Sequence, residues 1–121
     1  SRIMKAMRHP RVHSIAHPTG RLIGERDAYA VNLEMVLEEA AQTNTALEIN
    51  AYPQRLDLND IYSRAAKDKG AKLTIGTDAH SIDQMEYLEL GVSVARRGWL
   101  EKTDILNCLS YNDVIKVLKK K

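Results

Sequence analysis

The sequence predicts an α/β fold with parallel strands and flanking helices, on three observations. Three short β-prone runs, "VHSIA" (12–16), "ALEINA" (46–51) and "KLTIGT" (72–77), are each bounded by Pro or Gly. Patterns with helical spacing lie between and after them. The chain is 44% hydrophobic and 28% charged over 121 residues, the balance of a soluble globular domain or of part of a larger one.

Each element has a local reason. The opening "SRIMKAMR" reads as a helix end before the first strand. Asp27 is placed to cap a long helix carrying Ala30, Leu33, Val36, Leu37, Ala40 and Ala41 on one face. The second strand follows. Asn59 then caps "DIYSRAAKDK", which Gly70 closes. After the third strand, "MEYLELGVSVARRG" is helical with a Gly inside and ends at Gly98. A last helix starts at Ser110, with Asp113 completing a capping box, and runs through "VIKVLKKK". Strands alternating with helices make parallel βαβ units. Three strands are few for an independent parallel sheet, which needs helices on both faces or closure into a barrel. The expectation is part of something larger.

Composition narrows the class. No apolar run reaches the roughly 20 residues of a membrane helix, and the start has no apolar core of signal-peptide length. These point to a cytoplasmic protein with no membrane partner. One cysteine, Cys108 in "ILNCLS", excludes an internal disulfide and is expected as a buried small hydrophobe. A net charge of +2 is too weak to argue nucleic-acid binding by itself, and aromatics are scarce for a base-stacking platform.

The polar residues fall at strand ends. His17 follows the first strand in "SIAHPTGR", Glu48 and Asn50 lie on the second, and Asp78 and His80 follow the third. Parallel strands point their ends the same way, so residues of separate loops converge on one rim. Asp78 and His80, two apart on extended chain, share a face, and Gly76 and Ala79 leave room beside them. Two neutral imidazoles and a carboxylate form a ligand set for Zn²⁺, Mn²⁺ or Fe²⁺. Each residue also has a plain structural role open to it. A lone His after a strand is commonly a surface group, and Asp78 is also placed to cap the next helix. Glu48 alternates with Leu47 and Ile49 and faces opposite to them, where it needs a cation or donor; Arg21 or Arg55 would serve. The two arginines are candidates for a phosphate clamp or for ordinary ion pairs. His13, inside the first strand, and His9, before a Pro, have no evident role.

Taken in order, "AHPTGR", "EINA" with "RLDL", and "GTDAH" resemble the C-terminal part of the polymerase-and-histidinol-phosphatase (PHP) domain. The likeness is strongest to the version found at the C-terminus of bacterial and archaeal family X DNA polymerases, which these stretches resemble from Val12 to Asn107. The resemblance implies a distorted seven-stranded, TIM-like (βα)7 barrel with three divalent metals at its C-terminal rim. It maps His17, Asp78 and His80 onto metal ligands and puts Glu48 and Asn50 on a strand that lines the site. The family's opening H-x-H motif and its other early ligands have no counterpart here. Residues 1–121 are therefore expected to be a C-terminal fragment of the domain, without its first strands or the polymerase domains, and inactive alone. The implied activity of the intact domain is metal-dependent phosphoester hydrolysis on DNA: 3′-to-5′ exonuclease action in repair or editing, and incision at abasic sites. The alternatives are a small-molecule phosphatase of the histidinol phosphatase type and a non-catalytic structural lobe. A partial barrel leaves open edges and an apolar face, so the expectation is a homodimer or C-terminal helices folded over that face.

Overall fold

Residues 2–25 and 32–119 are described by a computed structural model. Its sheet has three parallel strands, β1 (Ser14–Ile15), β2 (Ala46–Asn50) and β3 (Leu73–Gly76), in the order β1-β2-β3. Ile15 is paired with Leu47, and Leu47 in turn with Leu73. β2 is central, and its Ala46, Leu47 and Ile49 are buried, as a strand covered on both faces requires. β1 is shorter than its sequence run because the chain leaves the sheet at Ala16 and turns at His17, whose carbonyl accepts the Gly20 N–H.

Among the described residues, five α-helices flank the sheet. α1 (Arg2–Met7) buries Met7 and packs on α2 (Leu33–Thr43). The expected start at Asp27 lies outside the described residues. The helix that carries Val36, Leu37 and Ala40 inward begins after Asn32, whose side chain accepts the Met35 N–H. α3 (Asp60–Asp68) is capped by Asn59, as the sequence predicts, with its side chain accepting the Tyr62 N–H. The run after β3 differs from one continuous helix: a 3-10 segment, Ile82–Tyr87, leads into α4 (Leu88–Arg97), which ends at Gly98. α5 (Tyr111–Leu118) starts at Ser110, which accepts the Asp113 N–H.

Gly91, inside α4, is there for closeness. A Cβ on it would lie 2.6 Å from Ile75 Cγ2 and 3.0 Å from Ala51 Cβ, so α4 lies directly against the ends of β2 and β3. The intrinsic helix penalty of Gly, about 1 kcal/mol, is offset by that packing. The core joins Met7, Leu37, Leu47, Ile49, Leu58, Leu73, Val94 and Ile105. Full burial of each such side chain contributes about 1.5–3 kcal/mol.

Two expectations are corrected. Cys108 is exposed, because the turn Leu106–Cys108 directs Ile105 and Leu106 inward and leaves the cysteine outside. The edge of β3 is not left open. Ile105 forms a parallel bridge with Leu73. The Asn107 side chain accepts the Ile75 N–H at 2.9 Å and donates to the Ile75 carbonyl at 3.0 Å. Apolar surface does remain exposed at Ile82, Met85, Leu88, Trp99 and Tyr111. Among the described residues, no helix is long and apolar enough to cross a membrane.

Candidate functional site

The C-terminal ends of the three strands carry a connected polar network. β2 supplies its centre. Asn50 is 1% exposed, and its amide is saturated. Its Nδ2 donates to Glu48 Oε1 at 3.1 Å and to Asp78 Oδ2 at 3.2 Å, while its Oδ1 accepts the Tyr52 N–H at 3.0 Å. The chemistry fixes the orientation of the amide, since only an NH₂ group can bridge two carboxylates. Asn50 thus holds Asp78, from the loop after β3, against β2.

Glu48 reaches the first loop. Its Oε1 accepts the His17 N–H at 3.0 Å. Alternation does place it opposite Leu47 and Ile49, but its partners are this amide and Asn50, not an arginine. Gly76, on the neighbouring strand, makes room: a Cβ there would lie 2.6 Å from Glu48 Oε2. His17 has φ 28° and Asp78 has φ 54°, both left-handed values that a side-chain-bearing residue adopts at a cost of about 1–3 kcal/mol. Leu56, in the adjoining turn, has φ 42°. Such conformations persist where surrounding bonds over-determine them, and here the Glu48 and Asn50 side chains do so.

The arginines are interlocked. Arg21 Nε and Nη2 donate to the carbonyls of Arg55 and Leu56 at 2.7 and 2.6 Å, which ties the first loop to the turn after β2. Arg55 Nη1 returns a bond to the Arg21 carbonyl at 3.4 Å, and Arg55 Nε lies 3.8 Å from Asp78 Oδ2. Arg55 therefore faces the rim, while the donors of Arg21 are engaged in holding backbone. His80 is exposed. Its N–H donates to Gln84 Oε1 at 2.7 Å, and its ring stands edge-on to Tyr52 at 6.3 Å between centroids. Tyr52 is in turn edge-on to Tyr87 at 5.6 Å. Asp78 caps no helix; the 3-10 segment starts after Ser81. His9 Nδ1 accepts the Arg11 N–H, and His13 Nδ1 is buried without a hydrogen-bond partner among the described residues.

The structure thus joins the His17 backbone and the Asp78 carboxylate to the Glu48–Asn50 pair, with Arg55 beside Asp78, while His80 is exposed and meets Tyr52 through the edge of its ring. The donor set suits a divalent cation in kind: two imidazoles, the Asp78 carboxylate 37% exposed, and a second carboxylate at Glu48. Among the described residues, however, no three His, Cys, Asp or Glu side chains are gathered closely enough to enclose one ion. Asp78 Oδ2 is turned toward Asn50 and Arg55. Sequence reasoning missed Asp57, a buried carboxylate that accepts the Thr19 and Gly20 N–H groups, and the aromatic contacts of Tyr52. The signal for Asp57 was an acidic residue between two leucines in "RLDL".

No family model matches the chain. It is 44% identical over 119 residues to a curated protein of Bacillus subtilis (strain 168) named DNA polymerase/3′-5′ exonuclease PolX, an alignment covering 98% of this chain and 21% of that protein. The chain therefore spans about a fifth of the length of the relative it matches, and is its homologue over that segment.

Proposed function

We propose that the chain is the C-terminal portion of a PHP-type phosphoesterase domain of a family X DNA polymerase, part of a distorted seven-stranded barrel. Its role is to contribute to a metal-dependent 3′-to-5′ exonuclease acting on DNA in repair or editing, in a cytoplasmic protein. The observation that supports this reading is the rim itself. At the strand ends the His17 backbone N–H and the Asp78 carboxylate are tied to one polar network, and the His80 ring stands against Tyr52 beside it, in a chain 44% identical to a segment of a protein named as a polymerase and exonuclease.

In this reading His17, Asp78 and His80 are ligands of a divalent cation, Mn²⁺, Zn²⁺ or Fe²⁺, one of three in the intact domain, and further ligands come from elsewhere in it. The chemistry supplied on binding is Lewis-acid activation of water and of a phosphoester. The chain's own residues do the positioning. Asn50 orients the Asp78 carboxylate, Glu48 holds the His17 backbone, and Arg55 offers a guanidinium to a phosphate beside Asp78. Contacts of this kind recognise the DNA backbone rather than base identity.

The test is made in the longer protein that carries this segment. His80→Ala and Asp78→Ala should each lower degradation of a 3′-labelled oligonucleotide on the order of 100-fold or more, and leave nucleotide addition intact. Undiminished degradation in both variants rejects the assignment. A preference for a small phosphomonoester over the oligonucleotide moves the activity to the phosphatase class.

A further inference from the structure

The 3-10 segment Ile82–Tyr87 runs directly into α4. The inner side of α4 is made by Gly91, Val94 and Ala95, all buried. Away from that side, Met85, Leu88, Val92 and Trp99 are exposed, from 37% at Val92 to 73% at Trp99. Residues four apart on a helix are neighbours on its surface, so Leu88 and Val92 form an apolar strip on α4. Met85 and Trp99 stand beyond its two ends. Scattered exposed apolar residues are ordinary, whereas a strip of them marks a contact surface. Trp99 adds to this. It closes α4 with φ 61°, its N–H donating to the Arg96 carbonyl and the Leu100 N–H to the Ala95 carbonyl. Glycine usually fills that left-handed position. An exposed indole held there at a cost in strain is suited to anchor a contact.

The charges around the strip say what covers it. Asp83, Glu86 and Glu89 occupy the leading part of the run, and Arg96 and Arg97 close it. Signs of this kind suit the helix dipole, and Arg97 is used within the chain, 3.9 Å from Asp60 Oδ2. Among the described residues Glu89 and Arg96 have no ion-pair partner, and both are exposed. A surface acidic at one end, basic at the other and apolar between them is complementary to itself in reverse. A parallel neighbour would set like charges together. We propose that α4 is the contact element of a homodimer, two copies packing antiparallel about a two-fold axis beside Val92. Val92 then meets its own copy, Glu89 of each copy meets Arg96 of the other, and Met85 of each comes near Trp99 of the other. The last pairing is a favourable sulfur–aromatic contact. Helices of 10 residues bury less than a standard interface, so the pair is weak, with a Kd between about 1 µM and 1 mM. None of this depends on a cation at the strand ends or on the reaction carried out there.

Sedimentation equilibrium of this chain should show monomer and dimer in exchange. Glu89→Arg and Arg96→Glu each set like charges together twice across the axis, so each variant alone should dimerise about tenfold more weakly or worse. An equimolar mixture of the two variants restores both Glu–Arg contacts and should recover the affinity of the unaltered chain. Circular dichroism establishes that the variants are folded. Should either not fold, Leu88→Lys, which charges the strip itself, must weaken the dimer to a similar degree. Dimers that ignore these substitutions overturn the proposal, as does a mixture of folded variants that stays monomeric. An unaltered chain that is monomeric throughout also overturns it. Amide protection at Leu88 and Val92 found only in the longer protein would then assign the strip to another part of that protein.

Discussion

Asn50 occupies a position where neither a smaller nor a charged residue is equivalent. Asn50→Ala removes two donors from Glu48 and Asp78 and one acceptor from Tyr52, leaving partly buried groups without partners. The expected loss of stability is about 1–3 kcal/mol, read from urea denaturation. Asn50→Asp should be worse than Asn50→Ala at neutral pH, because it sets a third carboxylate against two others; equal stability of the two would show that the amide does not bridge them. Gly76→Ala acts on the same network from the other side. The atom its Cβ would strike, Glu48 Oε2, belongs to a flexible side chain that can swing aside without moving backbone, so the cost should be about 1 kcal/mol, from the bonds that Glu48 gives up. The His17 N–H would lose its acceptor, visible as faster amide exchange at His17. The placement of Asp78 and Asn50 on one rim was legible in the sequence, because parallel strands fix which ends meet. The burial of Asp57 was not: its two leucine neighbours mark an apolar run, but the amides that donate to its carboxylate come from a loop 37 to 38 residues away in sequence.

Among the elements, α4 gives the sharpest expectation. Ala is ordinarily the better helix former, yet Gly91→Ala should destabilise by about 1–3 kcal/mol, since its methyl meets Ile75 and Ala51 in a packed layer. A stabilised variant would mean that α4 does not lie this close to the sheet. Between α1 and α2 the joint is ionic. Arg8 Nη2 and Nε donate to Glu39 Oε1 at 2.8 and 3.2 Å, and this hydrogen bond to Arg8 holds the Glu39 carboxyl below the usual carboxylate range. A depressed folded pKa means that the contribution is complete at neutral pH and is lost as pH falls through that lowered value. Arg8 is exposed although Glu39 is half-buried, so solvent screens the pair from one side, and the difference in Tm between the unaltered chain and Arg8→Ala should be small at pH 7 and should shrink further in acid. Helix stops and caps at Asn59, Gly98 and Ser110 were readable because capping chemistry is local. The start of α2 at Asn32 and the 3-10 entry to α4 were not, since neighbouring polar residues offered equivalent signals.

For the whole molecule, one central strand carries most of the cohesion. Leu47→Ala opens a cavity between β1 and β3 and should cost about 2–5 kcal/mol in equilibrium unfolding. The exposed apolar residues of the C-terminal half, Ile82 at 87% and Trp99 at 73% among them, should bind a hydrophobic dye in the native state. They should also make sedimentation concentration-dependent; a single species near 13.6 kDa at all concentrations, without dye binding, would mean that this surface is inert. The α/β class was legible from alternation of strand and helix runs. The extent of the sheet was not, because a bridge such as Leu73 to Ile105 has no sequence pattern of its own.

The Asn107 amide beside Ile75 imitates the peptide group of a neighbouring chain, offering one acceptor and one donor where a strand would. Among the described residues, with that rail occupied and β2 flanked on both sides, the outer edge of β1 is the one without a strand partner. A further strand would meet less resistance there than beside β3, where one carboxamide would first have to swing away.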